Sequence, residues 1–282
     1  FDLSSYVKDS MMQQRKYLKN ISKERITEEI IKILKTKKPS KGLKLLTELK
    51  ISDYVFPELN ELGGIDIIDG KGHKDVFLHT MEVVDNAAKL TDKMDVRFAA
   101  LLHDIAKPRT KKFYKNRGWT YYGHEDVGQY MVRDIAKRMK LSNKLRDYLM
   151  LLTKLHLRPI ALAKEGVSDS AVRRLLLEAG EYVDDLMILC RADITTKNQH
   201  KVKQYLSNFD RVEELMKSVK LRDEVRNFKS PVPGEIIMKE FNLKPGRDIG
   251  KIKKSIEDAI LDGKIKNDYD EAFDYMIKTF KE

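Results

Sequence analysis

The chain has 282 residues, 41% of them hydrophobic and 35% charged, which suits a globular protein with one large core or two or three modules. No apolar run approaches the ~20 residues of a spanning helix, and the opening FDLSSYVKDSMMQQRKYLKN shows no signal-peptide pattern. A net charge of +11 points to a polyanionic partner, and a single cysteine excludes an internal disulfide and fits a reducing compartment, the cytoplasm.

Helical periodicity dominates. In SKERITEEIIKIL, Ser22 is placed to cap a helix whose Ile26, Ile30, Ile33 and Leu34 share a face, and Lys37-Lys38-Pro39 stops it. KGLKLLTELKISDYVFPEL predicts a second helix ending near Ile51. From Phe77 to Leu90 another apolar stripe runs through Met81, Val84 and Ala88. Val96 to Ile105 is apolar nearly all round, as a buried helix is. Further helices are expected at 126–139, 143–156, 169–179, 182–197 and 199–228. KKFYKNRGWTYYG places two aromatic runs around Asn116-Arg117-Gly118 and predicts one β-hairpin. SPVPGEIIMKEFNLKPGRDIG gathers three of the seven prolines, which marks a boundary before a small helical tail. The expected fold is therefore all-α: a helical bundle with one small hairpin, flanked by helical N-terminal and C-terminal modules.

Charge is concentrated in KILKTKKPSKGLK (32–44) and KPRTKKFYKNRGWTYYGH (107–124). The second stretch interleaves aromatic residues with six Lys and Arg, a mixture that suits phosphates and stacked bases.

Histidine and aspartate placement raises a separate question. Phe98 to Leu102 run straight into His103 and Asp104, and a carboxylate in an apolar interior is costly unless paired, hydrogen-bonded or metal-bound. His79 lies in the first turn of its helix, His124 opens a helix, His156 closes one, and Asp193 enters the apolar run LMILCRADIT. One such residue reads as a satisfied core side chain. Five such placements on consecutive helices point to metal ligation.

The order His79, His103-Asp104, Asp193 resembles the H…HD…D pattern of HD-domain metal-dependent phosphohydrolases. FLHTMEVVDN, LLHDIAKPRT, GHEDVG, AVRRLLLEAG, LCRADITTKN, PGEIIM and KPGRDIGKIKKSIEDAILDGKI, in that order, resemble the C-terminal part of bacterial tRNA nucleotidyltransferases, the CCA-adding and poly(A) polymerase family. The resemblance implies an RNA-binding neck and body (1–60), an HD domain (61–228) and a tail that contacts tRNA (229–282). It implies RNA, and tRNA in particular, as partner, with no membrane. The family's polymerase head opens on a Gly-Ser motif. The chain has no Gly-Ser dipeptide, and Asp66 and Asp69 in GGIDIIDG have the wrong spacing for the head's paired aspartates. Lacking also an initiator Met, the chain is expected to be part of a longer protein whose polymerase head precedes it, and not to add nucleotides itself.

On this reading His79, His103, Asp104 and Asp193 hold one divalent metal, and His124 and His156 a second, with Asp104 bridging. The mixed imidazole and carboxylate donors suit Mn, Fe, Ni, Co or Zn better than calcium, with Mg also among the candidate ions. Asp104 and Lys107 are the expected catalytic pair. Arg109, Lys111, Lys112, Lys115 and Arg117 are expected to meet phosphate or RNA, with Arg158 and Lys74 as weaker candidates. In the tail, Arg247 and Lys251 flank a turn into a helix, a phosphate-binding arrangement that an Asp248 N-cap would explain equally well. The predicted activity is hydrolysis of phosphoesters such as 2′,3′-cyclic phosphates. The alternative is an RNA-holding body whose metal is structural. A cyclic-dinucleotide phosphodiesterase is disfavoured, because no Gly-Tyr-Pro follows His156.

Overall fold

The computed structural model describes residues 3–73, 75–163, 167–219 and 230–280. Lys74 and the end of the predicted 199–228 helix lie outside them. Helices make up 70% of the structure, and the strands form two small antiparallel hairpins. The second hairpin is the predicted one, Lys112–Tyr114 paired with Gly118–Thr120. The first, Ile67–Ile68 with Lys71–Gly72, was not foreseen, because two-residue strands leave no alternation to read.

The chain divides into two compact units, residues 1–161 with 182–209, and 162–181 with 210–282. In the first, the Lys23–Leu34 helix starts where expected, Ser22 Oγ accepting from the Arg25 amide at 3.4 Å. The predicted second helix is shorter than its apolar pattern suggested. It spans Pro39–Glu48, and Lys50 turns left-handed (φ 52°) so that the Ile51 amide closes back on the Leu46 carbonyl. This Schellman-type closure ends the helix although Lys stands where glycine is usual.

The centre of this unit is built from the helices Val76–Leu90, Met94–Leu102, His124–Arg138, Asn143–Leu155 and Val183–Ala192, which pack on one another. Val83, Val84, Phe98, Leu101, Leu102, Leu149 and Leu189 are fully buried there. Arg97 is buried among them. Its guanidinium donates to the carbonyls of Leu34, Thr36, Ala88 and Thr91 and to Asp92, at 2.9–3.2 Å. One side chain thereby satisfies the free C-terminal carbonyls of two helices and ties the N-terminal helices to the bundle.

The second unit has its own core, formed by Val232, Ile237, Ile252, Ile256, Ala272 and Met276. Arg174 of the Asp169–Ala179 helix pairs with Asp262 there, so AVRRLL carries an ion pair of the fold. An Asp-x-Asp sequence, Asp268-Tyr269-Asp270, opens the Tyr269–Phe280 helix and lies on no strand.

Candidate metal centre

Helix ends position every side chain of the cluster. The buried helix stops at Leu102, three residues short of the predicted Ile105, so His103 caps it and Asp104 follows. His156 caps Asn143–Leu155 and Asp193 caps Val183–Ala192, a helix predicted to run on to 197. His79 stands in the first turn of Val76–Leu90, capped by Asp75. Gly123, at φ 74°, makes the left-handed turn that lets His124 begin its helix. Gly128 lies where a Cβ would come within 2.9 Å of the Thr153 methyl. That close approach brings two helices together, and their ends put His124 Nε2 3.2 Å from His156 Nε2.

Ligand atoms fall into two groups, His79 with His103 and Asp193, and Asp104 with His124 and His156. Asp104 faces both. Its Oδ2 is 3.3 Å from His79 Nε2 and 3.2 Å from His103 Nε2. Its Oδ1 is 3.2 Å from His124 Nε2 and 3.7 Å from His156 Nε2. Asp193 Oδ1 closes the first group at 2.9 Å from His79 and 3.4 Å from His103.

The outer ring nitrogens fix the tautomers. Nδ1 of His103, His124 and His156 donates to the carbonyls of Ala100, Tyr121 and Thr153 at 2.9, 2.8 and 2.7 Å. A carbonyl only accepts, so Nδ1 carries a proton, and each ring in its neutral form offers a lone pair at Nε2. His79 Nδ1 shares a hydrogen bond with the Thr195 hydroxyl at 2.9 Å. This is the outer shell that metal-ligating histidines use. When both rings are neutral, the two lone pairs facing each other at 3.2 Å repel unless a cation or a shared proton lies between them.

Three buried atoms of the cluster, His103 Nε2, Asp104 Oδ1 and Asp193 Oδ1, have no aligned hydrogen-bond partner. Buried polar atoms without partners are rare and costly, and here all three converge. The residues therefore fit a divalent ion. The electrostatics agree. Burial alone would lower the His103 pKa, yet Asp104 and Asp193 push it up to about 10. Burial works against both carboxylates, but His103 and the neighbouring charges hold Asp104 well below the usual range, and His103 and His79 do the same for Asp193. Without an ion the cluster keeps its charge balance by holding a proton.

Lys107 donates to Asp104 Oδ2 at 2.6 Å, so it stands at the cluster. Arg109 does not; its guanidinium pairs with Glu61 at 3.2 and 3.3 Å. Lys111 pairs with Asp66, and Lys112, Lys115, Arg117 and Arg158 are exposed. Arg247 and Lys251 are exposed in the second unit. The cap there is Gly246, and Asp248 binds Lys251 at 2.8 Å instead of capping the helix. Cys190 is buried, its thiol directed at the His156 carbonyl. Thr195 and Tyr121 were missed as site residues. Thr195 could have been found as a hydroxyl two residues after a candidate ligand. Tyr121 has a buried hydroxyl without a partner and lies under the Lys107 ammonium, 5.6 Å from its ring centre. Nothing in the sequence separates it from the aromatic residues around it.

Among the described residues no helix is long and apolar enough to cross a membrane. Residues 1–62 match the family described as "Probable RNA and SrmB- binding site of polymerase A", and residues 76–198 match the HD domain. Over 197 residues the chain is 27% identical to the Multifunctional CCA protein of Tolumonas auensis, a match that takes in 67% of this chain and 46% of that protein. The chain thus spans less than half the length of that relative. With an RNA-binding region followed by an HD domain and a CCA protein among its relatives, the chain is similar to the HD-containing part of tRNA nucleotidyltransferases.

Proposed function

We propose that the chain binds RNA, tRNA in particular, and hydrolyses phosphoesters at RNA ends, such as 2′,3′-cyclic phosphates and 3′-phosphates, at the His/Asp cluster. The observation that carries this reading is the placement of Asp104, whose two oxygens face separate sets of imidazole nitrogens. His79, His103, Asp193 and Asp104 Oδ2 would hold one divalent ion, and His124, His156 and Asp104 Oδ1 a second. Mn, Fe, Ni, Co, Zn or Mg would supply Lewis acidity toward a phosphoryl oxygen and lower the pKa of a nearby water. Asp104 stays ionised at neutral pH and keeps Lys107 at the rim of the cluster. Lys107 donates its remaining N–H groups to a non-bridging oxygen as water adds to phosphorus, one ester P–O bond breaks, and the water's proton passes to the departing oxygen. The cluster lies in the interior of the bundle, so this electrostatic pull acts at a low effective dielectric.

The RNA-contacting assignments rest on the match of residues 1–62 and on the exposed cations Lys112, Lys115 and Arg117. The name of the Tolumonas relative, a CCA protein, supports tRNA as the partner. Metal analysis of the purified chain, together with a screen of cyclic nucleotides, nucleoside 3′-phosphates and phosphodiesters, tests the reading. Bound metal with turnover supports it. Bound metal with no turnover on any phosphoester replaces it with a tRNA-holding body that carries a structural ion.

A further inference from the structure

The two hairpins form one surface. Trp119 Nε1 donates to the Lys71 carbonyl at 2.8 Å and joins the second hairpin to the first. Across the second hairpin Phe113 is paired with Trp119, their rings 5.3 Å apart, so alternation puts Lys112 and Tyr114 on the opposite, solvent face. In the first hairpin Ile67 is 70% exposed, and Ile65 and Ile68 are exposed as well. Tyr122, just past the second hairpin, is 69% exposed. Side chains this exposed add little to a core, and exposed apolar residues in and beside two joined hairpins mark an interaction surface. Lys107 to Tyr122 holds six Lys and Arg and no acidic residue, against Asp66 and Asp69 at the first hairpin, so the joined surface is net positive and fits a partner that carries negative charge.

This surface leads to the metal centre. Trp119 stacks edge-on against His73 at 5.2 Å, and His73 against Tyr121 at 6.3 Å. Tyr121 lies under Lys107, which bonds Asp104. We infer that the paired hairpins are a stacking platform for single-stranded RNA, which feeds its 3′ end toward Lys107 and the cluster; this rests on the hydrolase reading above. Cations alone would hold a duplex equally well. Toward RNA, exposed tyrosines stack on unpaired bases and exposed isoleucines gain apolar contact with them, whereas base-paired RNA offers phosphates and 2′-hydroxyls instead. The substrate class is therefore an unpaired RNA end.

Trp119 is the sole tryptophan of the chain and sits where the hairpins meet, so its fluorescence reports this surface separately from RNA bound at residues 1–62. The metal-loaded chain is titrated with a labelled ten-nucleotide oligoribonucleotide and with the same strand in a blunt duplex. Trp119 emission and RNA anisotropy are followed together. The single strand is expected to quench Trp119 with at least tenfold higher affinity than the duplex. Replacing Ile67 and Tyr122 together by Ser, both exposed, should weaken single-strand binding five- to tenfold, leave duplex binding unchanged and leave the salt slope intact. KM for an oligonucleotide ending in a 2′,3′-cyclic phosphate should rise in that variant, with KM for a cyclic mononucleotide unchanged.

Anisotropy without quenching, equal affinity for duplex, or a Ser variant that binds as the parent does would overturn the inference. So would stronger quenching by anionic lipid vesicles, or a dimer of the parent that the Ser variant cannot form. A parent chain that quenches with single strands but hydrolyses no phosphoester overturns the hydrolase reading and leaves a binding platform. A parent that hydrolyses cyclic mononucleotides while its hairpins ignore RNA overturns the platform alone.

Discussion

The buried cluster and the paired hairpins belong to the same unit and place their charged groups in opposite settings. In the cluster six candidate ligands come from the ends of five helices, every ring is oriented by an outer hydrogen bond, and solvent is nearly excluded. On the hairpins the cations stand in water, and Lys111 and nearby Arg109 are already engaged by Asp66 and Glu61. An unmatched charge is costly in the first setting and of little consequence in the second, because water screens it. Chemistry is thus specified sharply in the core and loosely at the surface, and mutations should separate the two.

The largest effect is expected at Asp104. Asp104→Ala removes the oxygens that face both histidine groups, so metal content and phosphoester turnover should both disappear. A ligand present at a thousand times its Kd stabilises a fold by about 4 kcal/mol, so the rise in Tm that the parent shows on adding metal should vanish with it. A variant that keeps its metal and its metal-dependent Tm would make Asp104 an ordinary buried carboxylate, held by Lys107 alone.

Next in size is a pH effect. Without an ion, Asp104 and Asp193 keep a proton on His103 up to about pH 10. Metal can bind only the neutral ring, so the proton must leave as the ion enters. Below pH 10 the neutral fraction grows tenfold with each pH unit, and apparent metal affinity should do the same between pH 6 and pH 8. Calorimetry in buffers of different ionisation enthalpy counts the released proton. An affinity that is flat over this range would show that His103 is already neutral.

The same contrast explains what could be read from the sequence. Ser22, Asp104, His79 and the hairpin around Asn116-Arg117-Gly118 stand out because each answers a local demand: a free helix end, a buried charge, a turn. The convergence of His124 and His156 is not local. It depends on Gly128 letting one helix lie against Thr153, a contact that no periodicity announces. Helix ends were misjudged for the same reason. Apolar patterning continues through Ile51 and Ile105, whereas the left-handed turn at Lys50 and the departure of His103 toward the cluster are tertiary choices. Surface assignments fared least evenly. Arg109 and Lys107 are two residues apart and look equivalent in the sequence, yet one bonds Glu61 and the other Asp104.

Tyr121 sits where the two settings meet, and a smaller effect is expected there. Its hydroxyl is buried without a partner in the free chain, which costs stability, and it is a donor open to a phosphoryl oxygen beside Lys107. Tyr121→Phe should keep the metal, leave the fold unchanged or up to about 1 kcal/mol more stable, and raise KM for small phosphoesters severalfold. A lower Tm with unchanged KM would mean that the hydroxyl serves the fold.

The smallest effect is expected from the exposed cations, and it is visible only through salt. Lys112 and Lys115 stand on the solvent side of the second hairpin, with no ion pair among the described residues. Their loss should not move Tm or metal content, since neither side chain packs into a core. Each phosphate contact on a single strand releases about 0.7 of a counterion, so replacing both by Ala should flatten the plot of log affinity against log salt by roughly 1.4. At low salt this appears as weaker binding, and at high salt it fades, because the parent's electrostatic advantage fades too. Lys111→Ala makes the control. Its ammonium is already matched by Asp66, so its loss should change the slope by less than either exposed lysine. If Lys111→Ala flattens the slope as much as Lys112→Ala does, the Asp66 pair opens when RNA arrives, and the surface cations are less firmly committed than their contacts in the free chain imply.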